Sequence, residues 1–194
     1  MTSYHVMADI ETLGIGNNAL PIVLGAVKFT QDTILDKFEV GIDPDDAQRY
    51  GRVITGGTVM YWFDPKRDEA RRRIFEMPKV DLSSALQGFA DWCRMDSEPR
   101  PTAADPFGDR EAIRLGSLWG KGSTFDNIIL RSAAEATQTD WPFSFRHDEC
   151  YRTMANRFPD VEYSQQGVAH VAVDDALSQA LHLQRICAAK GFDL

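Results

Sequence analysis

The sequence predicts an α/β fold: a mixed sheet, made of a three-strand antiparallel meander plus parallel strands, flanked by helices. Three observations predict it. Three strand-like runs fall within the first 42 residues, too close together for helical crossovers between them. Another apolar run, 113–119, arrives only after a long helical region. Apolar residues at helical spacing occupy much of the remainder.

Tyr4 to Asp9 reads as the first strand. Gly14 to Asn18 is a turn by composition, and Leu20 to Phe29, rich in β-branched and apolar residues, is a well-buried second strand. Phe38, Val40 and Ile42 alternate with polar or small residues, which predicts a half-exposed third strand ending near Ile42. Asp43 to Gly57 reads as irregular and polar. Thr58 then caps a short helix through Phe63. Asp64-Pro65 supplies an N-cap and first helical residue for a helix to about Phe75, stopped by Met77-Pro78. Asp81 or Ser83 opens the next helix, whose core face is Leu82, Leu86, Phe89, Ala90 and Cys93. Met95 to Arg110, with Pro99, Pro101 and Pro106, is the expected flexible loop.

Ile113 to Trp119 is the second central strand. Gly120 to Thr124 turns, and Thr124 caps a helix from Phe125 to about Gln138. Asp148 caps another, to about Phe158, and a loop runs to Gly167. The last helix starts between Val168 and Asp174 and ends at Lys190, with Gly191 as its stop. No internal repeat, low-complexity tract or linker interrupts the chain, so one domain over 1–194 is expected.

The 194 residues are 43% hydrophobic, which argues against disorder. No stretch is long and apolar enough for a membrane span, and no basic-then-apolar leader precedes Asp9. Cys93, Cys150 and Cys187 are widely spaced and read as free thiols in a reducing, cytoplasmic setting. The net charge of −8 disfavours simple polyanion binding. Two bound divalent cations would move it from −8 to about −4, so local clusters matter more than the sum.

The chemistry gathers at few places. Asp9 and Glu11 are two apart on a strand and therefore share a face. Two carboxylates at ~5 Å repel by about 3 kcal/mol at an effective dielectric near 20, which a divalent cation would relieve. Asp126 follows a strand by a short turn, near a helix start. His170 and Asp175 lie five apart and face one side only if the last helix begins between them. Each feature alone has an ordinary reading: solvated acids at a strand end, helix-dipole partners, a loop histidine.

Taken as an ordered set, Asp9-Ile-Glu11-Thr12, Asp126 and His170 to Asp175 resemble the motifs of the DEDDh 3′→5′ exonucleases. That family includes polymerase proofreading subunits and oligoribonucleases on an RNase H-like fold. Histidine at 170, with Val171 where other branches carry tyrosine, selects the DEDDh branch. Within it, the chain looks most like phage exonuclease A and RecE-type exonuclease domains. The features are Thr58 to Phe63 followed by Glu69-Ala-Arg71, Trp119 seven residues before Asp126, Phe125-Asp126-Asn127, and Cys150 to Thr153. Leu13 departs from the second threonine of many relatives.

The resemblance implies two divalent cations, Mg²⁺ or Mn²⁺. It puts Asp9, Glu11 and Asp175 on the ion that activates water, Asp9 bridging to the second ion, and Asp126 assisting through water. It makes His170 the general base, with surrounding acids expected to raise its pKa so that activity improves toward alkaline pH. The substrate would be single-stranded DNA or RNA 3′ ends, released as nucleoside 5′-monophosphates. Thr12, Leu13, Tyr61, Trp62 and Arg71 would contact it. The basic run Lys66, Arg67, Arg71, Arg72 and Arg73, beside Tyr61, Trp62 and Phe63, suits phosphates and bases but equally a solvated helix. Lys121 and Arg152 are further candidates for phosphate. No membrane partner is expected, and a homodimer is allowed. A catalytically silent binding module is the alternative; such a copy should have lost an acid, and none is missing.

Overall fold

The computed structural model describes residues 3–95 and 114–194, with Arg114 described for its backbone alone. Its strands are β1 (Ser3–Thr12), β2 (Pro21–Phe29), β3 (Ile34–Ile42), β4 (Lys79–Val80), β5 (Arg114–Gly120) and β6 (Asp148–Cys150). Its helices are α1 (Pro44–Arg49), α2 (Gly56–Trp62), α3 (Asp68–Glu76), α4 (Leu82–Arg94), α5 (Ile128–Thr137), α6 (Tyr151–Arg157) and α7 (Ala172–Lys190).

The six strands form one sheet in the order β4-β3-β2-β1-β5-β6. β1, β2 and β3 are the expected antiparallel meander, and β5 joins β1 in parallel. Parallel pairing also adds β4 to β3 and β6 to β5. The mixed sheet with flanking helices is the α/β architecture read from the sequence. β1 and β2 are covered on both faces, which explains their unbroken apolar character, whereas β3 alternates because one face is open. One face packs on α4 and α5 through Leu86, Phe89, Leu118 and Ile129; the other packs on α7 through Met7, Val27, Ala180 and Leu183.

One backbone approach positions the site. Gly25 pairs with Asp9 across the β1–β2 ladder. A Cβ there would lie 2.2 Å from the Val173 nitrogen and 2.3 Å from the Ala172 carbonyl carbon. Glycine thus lets the start of α7 rest directly on the sheet beside Asp9.

Some local expectations are corrected. Asp43 to Gly57 is not wholly irregular: Asp43 accepts from Asp45 N–H at 2.9 Å, Pro44 takes the first turn, and α1 follows. α2 starts at Gly56, with Thr55 in the cap position instead of Thr58; the two hydroxyls bond at 2.8 Å. A single 3₁₀ turn, Pro65–Arg67, precedes α3, with Asp64 accepting from Lys66 N–H. Asp148 caps no helix. It pairs with Leu118 in β6 and accepts from Arg131 at 2.7 Å, so α6 begins only at Tyr151. After β5 a π-type turn, Ser123–Asn127, intervenes before α5. Asp81 does cap α4, and Gly191, at φ 69°, ends α7. Most of the Met95–Arg110 loop expectation concerns residues outside those described.

Candidate active site

The end of β1, the turn after β5 and the start of α7 converge on one spot. Asp9, Glu11, Asp126 and Asp175 are all buried, each between 4% and 8% exposed. Asp9 and Glu11 share a face of β1, as their spacing requires. Asp126 reaches β1 because the π-type turn folds it back: its Oδ1 accepts from Ile10 N–H at 3.4 Å, and its own N–H donates to Gly122 O at 3.0 Å. α7 begins at Ala172, between His170 and Asp175, so the two face one side. His170, at φ 65°, makes the turn into the helix while its N–H donates to Asp175 Oδ2 at 3.2 Å.

Two glutamines, which the motif reading does not include, fix these acids. Gln179 Nε2 donates to Asp9 Oδ1 at 2.7 Å, and Gln165 Nε2 donates to Asp175 Oδ1 at 2.7 Å. Gln179 stands one turn after Asp175 on α7, so the i,i+4 spacing was a usable signal. Gln165 lies in a loop and carried none.

Burial pushes the carboxyls of Asp9 and Glu11 well above the usual carboxylate range, and the neighbouring acids push in the same direction. Burial raises Asp126 to about 7, against the pull of its backbone donors, Arg152 and Lys121. His170 behaves contrary to expectation. Its pKa is lowered: burial outweighs the attraction of Asp175, and Arg67 and Lys121 add to the lowering.

These residues fit a hard divalent cation. Ligand atoms of Glu11, His170 and Asp175 all lie within 4.8 Å of one another. Asp9 and Asp126, both buried, add carboxyl groups near them. An oxygen-rich donor set with repelling acids suits Mg²⁺ or Mn²⁺.

A cavity of about 360 Å³ opens beside Glu11, lined by Ile10, Thr12, Gly14, Tyr61, Trp62 and Phe125 among others. Of the expected substrate contacts, Thr12, Tyr61 and Trp62 line it, whereas Leu13 and Arg71 do not. Tyr61 is half-exposed; its hydroxyl is 3.2 Å from the His170 ring nitrogens, and the Arg67 guanidinium sits 3.4 Å over its ring. Trp62 is buried, and its indole N–H donates to Thr12 O at 2.9 Å, so it forms the wall. Leu13 is partly buried against the core. Arg71 is engaged within the protein, with the Trp62 carbonyl at 2.5 Å and with Asp68. The basic run is similarly occupied: Arg67 pairs with Asp64, and Arg73 with Glu69 and Asp174, which leaves exposed Lys66 and Arg72.

A mixed sheet of this strand order, flanked by helices, is an RNase H-like fold. The chain belongs to the family of the Rv2179c-like 3′-5′ exoribonuclease domain, whose model matches residues 4–187. Solved structures of the same fold include the nuclease domain of 3′hExo, a DEDDh family member bound to rAMP. That likeness is at 14% identity and TM-score 0.62, covering 98% of this chain and 94% of that one. Cell-death related nuclease 4 is similar at 17% identity and TM-score 0.61, covering 96% of this chain and 64% of the other. E. coli exonuclease I, in complex with a 5cy-dT13 oligonucleotide, is similar at 13% identity and TM-score 0.60, and the likeness covers 98% of this chain. The chain thus spans 64% of the length of cell-death related nuclease 4 and 41% of exonuclease I. No curated protein sequence matches it.

Proposed function

We propose that the protein is a metal-dependent 3′→5′ exonuclease of DEDDh type, acting as one catalytic domain on single-stranded RNA ends and releasing nucleoside 5′-monophosphates. The observation that carries this reading is the burial of Asp9, Glu11, Asp126 and Asp175 around His170. The exoribonuclease family supports RNA over DNA. The likeness to phage exonuclease A and RecE types rests on the α2–α3 and Cys150–Thr153 stretches and bears on the subgroup alone.

Asp9, Glu11 and Asp175 would hold one divalent cation, and Asp9 with Asp126 the second. Bound there, the cations would acidify water and stabilise charge on the phosphoryl oxygens. Gln179 and Gln165 keep Asp9 and Asp175 oriented. A ring nitrogen of His170 accepts the proton of the attacking water, and its lowered pKa keeps it unprotonated at neutral pH. Tyr61 holds the imidazole edge-on, with ring centroids 5.7 Å apart. The cavity beside Glu11 takes the terminal nucleoside, between Thr12, Phe125 and Tyr61.

No helix among the described residues is long and apolar enough to cross a membrane; a cytoplasmic location without a membrane partner is part of the proposal. A homodimer is part of the proposal and is measurable by light scattering.

The test is digestion of matched 3′-labelled RNA and DNA oligonucleotides with Mn²⁺, products sized. Mononucleotides from RNA, lost in Asp9→Ala and Asp126→Ala variants that still fold, are expected. Internal fragments, or full activity in the Asp9 variant, would overturn the assignment.

A further inference from the structure

A second, larger cavity, of about 550 Å³, shares no lining residue with the nucleoside pocket. Lys121, Arg152, Asn156 and Tyr163 line its mouth; Tyr151 and His182 form its floor. The floor is a closed network: Tyr151 O–H bonds His182 Nδ1 at 2.7 Å, and His182 Nε2 reaches Val161 O at 2.9 Å. It therefore offers shape and little free hydrogen-bonding capacity. The rim differs. Lys121 and Arg152 are exposed, and among the described residues neither makes an ion pair or side-chain hydrogen bond. Glu162 also lines the cavity and is the one acid there.

The rim adjoins the acids. Lys121 acts electrostatically on Asp9, Glu11 and Asp126, and Arg152 on Asp126. Asp175 and Asp9 act electrostatically on Tyr163, whose hydroxyl donates to Gln165 at 2.6 Å, the residue that holds Asp175. Local backbone keeps the two cations together. Gly122, at φ 155°, carries the chain from Lys121 into the π-type turn, and the Arg152 guanidinium lies 3.5–3.6 Å from where a Cβ would stand. A side chain at 122 would be strained by that φ, while a Cβ would sit in ordinary contact with the guanidinium.

A phosphodiester joins two nucleotides, so a site that cleaves it needs room on both sides of the acids. The Glu11 cavity and the Arg152 cavity are separate spaces, and the second reaches the acids through Tyr163, Gln165 and Asp175. We propose that Lys121 and Arg152 form a phosphate subsite for the retained strand, gripping the phosphodiester one step upstream of the bond that is cut. Planar guanidinium donors and an adjacent ammonium suit a phosphate that carries no base information. Tyr163 offers a ring for the penultimate sugar or base. This proposal rests on the exonuclease reading and names where the rest of its substrate lies.

Two substrates separate the ideas. A uridine 5′-phosphate p-nitrophenyl ester has one phosphate and needs only the acids and the nucleoside pocket. An oligoribonucleotide of several residues has upstream phosphates as well. For Arg152→Ala, and separately Lys121→Gln, kcat/KM on the oligonucleotide should fall about tenfold more than on the ester, mainly through KM. Arg152→Lys should recover part of that loss. Raising salt should erode oligonucleotide turnover in wild type more than in Arg152→Ala. Equal losses on both substrates, or no loss on either, would overturn the subsite. A wild type that hydrolyses neither substrate with Mn²⁺ would instead sink the exonuclease reading.

Discussion

At the scale of single residues, the site is a set of carboxyls that fold into each other's fields. Asp126 is raised to about 7, and Asp9 and Glu11 are raised well above their usual range. A carboxyl with a folded pKa above its unfolded value favours the folded state at acid pH. That contribution is lost as pH rises from the ordinary carboxylate range through the folded pKa. The metal-free protein should therefore be penalised at pH 8 relative to pH 5 by this cluster. Asp126→Asn should raise the melting temperature at pH 8 and do little at pH 4.5, as thermal denaturation in chelator would read. Equal shifts at both pH values would contradict the sign. Protons and cations also compete for the same oxygens. Activity should rise with pH, but through the carboxyls and not through a raised His170. The acid limb of the rate profile should then move to lower pH as Mn²⁺ is increased. A limb fixed at one pH at all Mn²⁺ concentrations would contradict this.

At the scale of elements, what matters is how closely α7 lies on the sheet. Gly25→Val places methyl groups where Val173 N and the Ala172 carbonyl already stand. It should displace the start of α7, cost about 1–3 kcal/mol of stability and remove most activity. Phe89→Ala, on the α4 side of the sheet, should cost about 3–5 kcal/mol while the folded fraction keeps its kcat. Denaturant titration alongside initial rates compares the two. The elements also show what was legible. β1 and β2 were readable as unbroken apolar runs, and α4 and α7 because each sustains a helical period over thirteen residues or more. α1 has six residues, β6 three and β4 two, too short to express a period, and β4 and β6 exist because of parallel partners distant in sequence. The motif acids were legible because short-range spacing forces Asp9 and Glu11 onto one face, and because α7 starts between His170 and Asp175. The glutamine from the loop, the engagement of Arg71 and the lowered His170 were not, since each depends on tertiary burial.

At the scale of the whole molecule, an acidic protein must approach a polyanion. The net charge is −8, and much of the basic run from Lys66 to Arg73 is paired within the protein. Substrate attraction would thus fall to the cations the acids are proposed to hold and to a few free side chains. The salt dependence of oligonucleotide turnover should be shallow, with a slope near −0.7 per phosphate neutralised, so about −1.4 for a two-cation contact. A slope several times steeper would point to an extended basic track that the fold does not present. The central claim concerns the acids themselves. Its most direct measurement is a Mn²⁺ titration of the chelator-treated protein at pH 7.5, followed by the loss of free-ion paramagnetic resonance. The account predicts two equivalents bound by wild type and fewer by Asp9→Asn, with both proteins folded; a wild type that remains folded and binds no Mn²⁺ up to millimolar concentration would contradict it.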